Sequence, residues 1–249
     1  MKKEWAQLKW GLVFYIFINN LILFWGKDHL VIGLPEDLFA SVQPMIGLCF
    51  ILHLVMAVTL LFESLGKDMG HPALWLHSSA SMRQLVGAKF LLISLAVGCS
   101  LLIYGMISGI SYYTGGGDVS VADNLLLSLS VYAVIMLNAI YVMAIVLFFW
   151  SIYQVFRSRI GLFSIVVIII LVNIWLIGWG FVWFTEVFQT VKEMGPMYGS
   201  IQDIDLLMFN NYIVPGGTIL TIGSLILYGL LTVFYFVFGT ILFEKKVRL

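Results

Sequence analysis

Gly161-Leu162-Phe163-Ser164-Ile165-Val166-Val167-Ile168-Ile169-Ile170-Leu171-Val172-Asn173-Ile174-Trp175-Leu176-Ile177-Gly178-Trp179-Gly180-Phe181-Val182-Trp183-Phe184-Thr185 contains no charged residue. A helix needs about 20 mostly apolar residues to cross the hydrocarbon core of a bilayer, and this stretch supplies them. The same ruler, moved outward in both directions, gives six spans: about 8–25, 41–63, 86–110, 124–153, 161–185 and 216–243. Asn19 and Asn20 interrupt the first, yet Trp10 and Trp25 stand at its ends as interfacial anchors. The fourth is long enough that its last turns, through Trp150 and Tyr153 to Phe156, should leave the membrane before Arg157. The expected fold is an all-α integral membrane protein, one transmembrane domain over residues 1–249.

Composition agrees. Of 249 residues 61% are hydrophobic and 10% charged, and the mean hydropathy is +1.04. A soluble domain carries about 25% charged residues, so 13 Lys+Arg and 13 Asp+Glu cannot cover a core this apolar. Soluble enzymes, nucleic-acid binders and disordered scaffolds are excluded together. Cys49 and Cys99 both lie in long apolar runs and imply no disulfide framework. The first apolar run reaches the length of a span and lacks a small-residue cleavage site, so no cleavable signal peptide is expected.

Basic residues set the expected orientation. With the N-terminus inside, the inner segments hold Lys2, Lys3, Lys9, Lys67, Arg83, Lys89, Arg157, Arg159, Lys245, Lys246 and Arg248, against Lys27 and Lys192 outside. Both termini are then cytoplasmic. Asp28, Glu36, Asp37, Asp118, Asp123, Glu186, Glu193, Asp203 and Asp205 fall outside, so a net charge of zero conceals a polarised molecule.

Two connectors are long enough to do more than connect: the inner loop 64–85 and the outer segment 186–215. In the inner loop, Ser81 followed by Gln84 is a capping box, and Ala80 with Leu85 has the spacing of a hydrophobic staple, so the third helix should begin at Ser81. Leu74, Trp75 and Leu76, between Pro72 and His77, form an apolar cluster suited to a short helix on the membrane surface or against a partner.

Here the sequence resembles a family, the membrane subunits of type-two ABC exporters, six-helix permeases that work with separate ATP-binding subunits. In that family the second helix ends at an acidic residue. A connector of Gly, charged residues and leucines follows, and the third helix opens on a small-residue and Ser turn, a basic residue, an aliphatic pair and a Lys. Glu63, Gly66, Leu74, Leu76, Ala80-Ser81, Arg83, Leu85-Val86 and Lys89 match that order. Where the family usually has Leu-Pro before the Ser turn, this chain has His77-Ser78-Ser79. The loop is also similar to those of small Gram-positive exporter permeases associated with antimicrobial peptides and cell-envelope stress. The resemblance implies a coupling helix at roughly Lys67 to Leu76, with Glu63, Gly66, Lys67, Asp68, Leu74, Trp75 and Leu76 meeting an ATP-binding subunit and Ser81, Arg83, Gln84 and Lys89 setting the entry of helix three. It also implies a second permease chain, identical or a sister. ATP and magnesium would be bound by the partner, since this chain has no Gly-x-x-x-x-Gly-Lys-Ser/Thr sequence to cradle phosphates.

A carrier driven by protons or sodium would place ionisable groups at mid-membrane, and the spans hold almost none. Glu63 and Lys89 sit at inner ends, where Lys89 can snorkel, and only His53 is well inside. A lone His is usually a hydrogen-bonded packing residue, and no second His, Cys or carboxylate lies at i+3 or i+4 from it to make a metal site. Asn19, Asn20, Asn138 and Asn173 read as interhelical hydrogen-bonding groups, and Gly105 with Gly109 permits close approach of helix three to a neighbour. Trp175, Trp179 and Trp183 recur every four residues as one stripe, expected to pack on lipid or another helix. In the resembled family the first and fifth helices form the dimer face, so this stripe with Asn19 and Asn20 could line the translocation path. Gly195-Pro196 should break the outer segment, and the resemblance implies short helices there that dip into the outer leaflet.

The expected function is a non-catalytic permease subunit of an ATP-driven exporter in the plasma membrane, embedded in lipid and binding no nucleic acid, cofactor or metal itself. Few buried charges favour an amphipathic or apolar cargo such as a peptide, lipid-linked molecule or drug. The rival readings are an ion-coupled secondary transporter, and a membrane-embedded enzyme or sensor anchor whose only polar cluster would be Glu63, Asp68, His71 and His77.

Overall fold

The computed structural model describes residues 9–11, 13–18, 21, 38–69, 81–114, 121–195 and 221–247. Their regular structure is helical: α1 Lys9–Ile18, α2 Leu38–Met69, α3 Met82–Thr114, α4 Val121–Ile160, α5 Phe163–Trp183, α6 Glu186–Glu193 and α7 Ile222–Val247. Five of these contain segments long and apolar enough to cross a membrane, at Cys49–Lys67, Met82–Met106, Tyr132–Ile160, Phe163–Trp183 and Ile222–Lys245. The chain is a multi-pass α-helical membrane protein. α1, as described, falls short of a span, and apart from Leu21 the rest of the expected first span lies outside the described residues.

Several ends differ from the sequence expectation. α2 does not stop at Glu63 but runs on to Met69. A helix can outlast the membrane when its exposed turns are supported, and here Lys67 Nζ donates to Glu63 Oε1 at 2.5 Å one turn back. α4 likewise continues past Tyr153 to Ile160. Arg157 and Arg159 lie in its last turn, where cations suit the negative end of the helix dipole.

Side-chain contacts give the directions of the helices. His53 meets Ser100 and Ser64 meets Lys89, so α2 and α3 are antiparallel. Phe149 meets Trp175 across the turn at Gly161, which makes α4 and α5 antiparallel. α4 and α7 run parallel, because Tyr141 pairs with Tyr228, Phe148 with Tyr235 and Trp150 with Phe243. α4 is the hub of the bundle: α2, α3, α5 and α7 all pack on it, α7 most extensively.

Lipid tails are as apolar as leucine, so burying leucine in this bundle gains little, and close packing has to supply the attraction. The α3–α4 and α4–α7 seams show how. A Cβ on Gly105 would fall 2.0 Å from Tyr132 Oη, so the glycine makes the room that Tyr132 occupies. Along α4–α7, Gly239 lets the two backbones approach until an added Cβ would be 3.2 Å from Phe148 Cα. Two of the four asparagines are described, and both donate within their own helix: Asn138 Nδ2 to Val134 O at 2.9 Å and Asn173 Nδ2 to Ile169 O at 2.7 Å. A carbonyl one turn back is the nearest acceptor available to a side-chain amide on a helix. Ser164 is the only buried residue of α5, which otherwise presents Ile165, Val166, Ile169, Ile170, Ile174 and Ile177 to its surroundings.

Candidate functional site at the basic end of the bundle

The helix directions gather the cations. The start of α1, the ends of α2, α4 and α7 and the start of α3 all lie at one end, bringing Lys9, Lys67, Arg83, Lys89, Arg157, Arg159 and Lys245 there. Lys192 is the described cation at the opposite end.

Two devices tie the α2–α3 corner together. In the first, Ser81 N–H donates to Gln84 Oε1 at 2.9 Å while Gln84 N–H donates to Ser81 Oγ at 3.3 Å. This is the reciprocal capping box, satisfying two amides that the start of a helix otherwise leaves bare. In the second, Lys89 does not snorkel as expected. It is 2% exposed and donates to Ser64 Oγ at 2.6 Å and to Ser64 O at 3.4 Å. A buried ammonium is tolerated when it is hydrogen-bonded, and Ser64 supplies both acceptors. Ser64 reads as a loop residue by span length alone. The signal that finds it is the period His53, Ala57, Leu60, Ser64 on one buried face of α2.

Glu63, Gly66 and Lys67 stand exposed on the last turns of α2, Asp68 belongs to the same helix, and Arg83 and Gln84 are exposed on the first turn of α3. Leu74, Trp75 and Leu76, together with His71 and His77, lie outside the described residues, as do Asn19 and Asn20. α1 rests on the same corner, with Tyr15 Oη 2.6 Å from Thr59 Oγ1 and Gly11 against Leu60 and Glu63.

At mid-bundle His53 is fully buried. Its Nδ1 is 2.7 Å from the Cys49 carbonyl, which can only accept, so Nδ1 carries a proton, and Nε2 lies 3.1 Å from Ser100 Oγ, a hydroxyl able to donate or accept. Cys49, at i−4 rather than i+4, is the neighbour that a forward reading passes over; its Sγ is 3.4 Å from Nδ1. Both ring nitrogens are satisfied, as a packing histidine requires. No group of three His, Cys, Asp or Glu able to hold a metal occurs among the described residues.

At the far end the tryptophan stripe is covered from within the chain. Trp175 Nε1 donates to Tyr235 Oη at 2.7 Å and its ring stacks on Trp179 with centroids 6.2 Å apart. Trp179 and Trp183 both contact Phe188 of α6, at 5.5 and 5.4 Å. α6 starts at the cap Thr185, whose hydroxyl accepts from Phe188 N–H, and ends before Gly195 at φ 66°, the expected break. Carbonyls at and just after its end then meet the start of α7: Ile222 N–H donates to Gly195 O at 2.9 Å, Gly223 N–H to Met194 O at 3.0 Å, and the Thr221 hydroxyl to Lys192 O. Lys192 lies inside this junction, fully buried, and burial pushes its ammonium down to about 8 while Glu193 pulls it part of the way back.

No protein-family model, curated protein or solved structure matches the chain.

Proposed function

We propose that the chain is the transmembrane permease subunit of an ATP-binding-cassette exporter, with a sixth span at the N-terminus, both termini cytoplasmic and the basic end inside the cell. ATP and magnesium are held by a separate subunit, a second permease chain completes the path, and the cargo is amphipathic or apolar. One observation carries this reading: the α2–α3 corner is a braced lever at the basic end. The capping box fixes the start of α3, Lys89 clamps it to Ser64, and the Glu63–Lys67 pair braces the last turns of α2. A push on the connector 70–80 is thereby delivered to two membrane helices at once. The excess of cations at this end supports the assignment of its side.

The test is purification of the tagged chain from its native membrane in mild detergent, with the co-purifying proteins counted by mass spectrometry. A near-equimolar protein bearing a Gly-Lys-Ser/Thr phosphate loop is expected. Proline at Leu74 or Trp75 should abolish its stimulated ATPase. Recovery of the chain alone, or transport that follows an ion gradient and ignores ATP, would sink the proposal.

A further inference from the structure

Three buried side-chain polar atoms among the described residues have no hydrogen-bond partner: Tyr141 Oη, Gln189 Oε1 and Lys192 Nζ. Two of the three belong to one short helix, α6, three residues apart, and so share a face. Lys192 is 0% exposed and makes no ion pair among the described residues; its ammonium lies 4.1 Å from the centre of the Trp183 ring. Gln189 is held by Nε2, which donates to Trp183 O at 2.6 Å, so its Oε1 is left as an acceptor with nothing to accept. A charged donor and a fixed acceptor, both withdrawn from water, leave the folded chain carrying a polar deficit that a ligand of complementary pattern would remove. The pattern calls for an anion that also carries a hydrogen-bond donor.

The surroundings say where such an anion comes from. Phe181 and Phe184, exposed by 75% and 85%, stand at the end of α5 where its apolar sequence runs out, and Val187 and Met194, exposed by 75% and 59%, stand at the two ends of α6. Trp179 and Trp183 stand at that level, the depth at which indoles settle in a bilayer. Bare aromatic and aliphatic side chains beside a buried cation fit acyl chains beside a headgroup.

We propose that the α5–α6 corner is a binding site for the phosphodiester headgroup of one anionic lipid. Lys192 takes a phosphate oxygen, Gln189 Oε1 takes a hydroxyl of the headgroup, and the acyl chains lie against Phe181, Phe184 and Val187. The ammonium reaches the phosphate by swinging off the Trp183 face on its four-carbon stem. The site depends on the chain being in a membrane and is independent of ATP coupling.

The experiment reads lipid selectivity directly. The purified chain is equilibrated with vesicles of equal phosphatidylglycerol and phosphatidylcholine with matched acyl chains, and the lipids retained after detergent extraction are counted by native mass spectrometry. About five-fold enrichment of phosphatidylglycerol is expected from one lysine at an anionic headgroup. Lys192→Met should abolish the enrichment and Lys192→Arg should keep it. Gln189→Leu should erase the preference for phosphatidylglycerol over phosphatidylmethanol, which has the same charge and no hydroxyl donor. Retention in the vesicle ratio by the wild-type chain, or enrichment that survives Lys192→Met, overturns the proposal. A melting temperature raised by soluble glycerol phosphate as much as by the lipid overturns the lipid assignment. If Lys192→Met fails to fold, Gln189→Leu and Lys192→Arg decide between the same outcomes.

Discussion

The α6–α7 junction can be broken by a single methyl group. A Cβ placed on Gly223 would lie 1.7 Å from Val191 O and 2.9 Å from Val191 C, backbone atoms that no rotamer change can move. Relief needs the two segments to separate by about 1.3 Å, since contacts closer than 3.0 Å essentially never occur. A displacement of that size stretches the bonds from Gly223 N–H to Met194 O, from Ile222 N–H to Gly195 O and from Thr221 Oγ1 to Lys192 O beyond hydrogen-bond range. At about 1 kcal/mol net for each, Gly223→Ala should loosen the junction by roughly 2–3 kcal/mol. Hydrogen exchange over residues 186–195, followed by mass spectrometry in nanodiscs, should speed up by about 30- to 150-fold while α4 keeps its protection. Gly229→Ala is the control, because an added Cβ there meets nothing within 4 Å and alanine favours a helix. Unchanged exchange in Gly223→Ala, or equal acceleration by Gly229→Ala, refutes the reasoning.

Lys89→Met removes the clamp between α3 and Ser64 and leaves buried acceptors behind, so thermal unfolding in detergent should report a loss of roughly 1–3 kcal/mol that Ser64→Ala partly offsets when combined with it. Ser81→Ala deletes one half of the capping box and should cost about 1 kcal/mol, with faster exchange confined to the first turn of α3. For Lys192 the folded chain favours the neutral amine, titrating near 8 against an ordinary 10.5, so the undocked state holds the extra proton between those values. Docking of α6 should therefore strengthen as pH rises from about 8 to 10.5 and stay level below 8, a slope in exchange protection that Lys192→Met should flatten.

Hydropathy made the membrane class and five of the helices legible, because an apolar run of that length has few other uses in a folded chain. It misplaced the end of α2, since the first charged residue, Glu63, marks where hydrocarbon stops and not where helical hydrogen bonding stops. The capping box was readable because both partners are three residues apart. The burial of Lys89 was not, because its acceptor Ser64 lies 25 residues away. The tryptophan stripe shows the same divide: its four-residue period is local, whereas Tyr235 and Phe188, which cover it, come from α7 and α6. Lys192 was legible only as one of two cations on the outer side. Only the docking of α6 against α5 and α7 encloses it.

The apolar segments of the bundle are of unequal length. In α4 the uncharged part, from Tyr132 to the residue before Arg157, runs for 25 residues and in α5 for 21, about 38 Å and 32 Å of helix against a hydrocarbon core of about 30 Å. α5 can stand upright with its whole length in lipid. α4 can hide its apolar length only by leaning, and its close seam with α7 obliges that helix to lean with it. The two angles answer differently to bilayer thickness: a thicker membrane lets α4 straighten while α5 has no length left to give. The angle between the central and peripheral helices is thus set partly by the lipid around them, and short-chain and long-chain bilayers hold the same bundle at different openings.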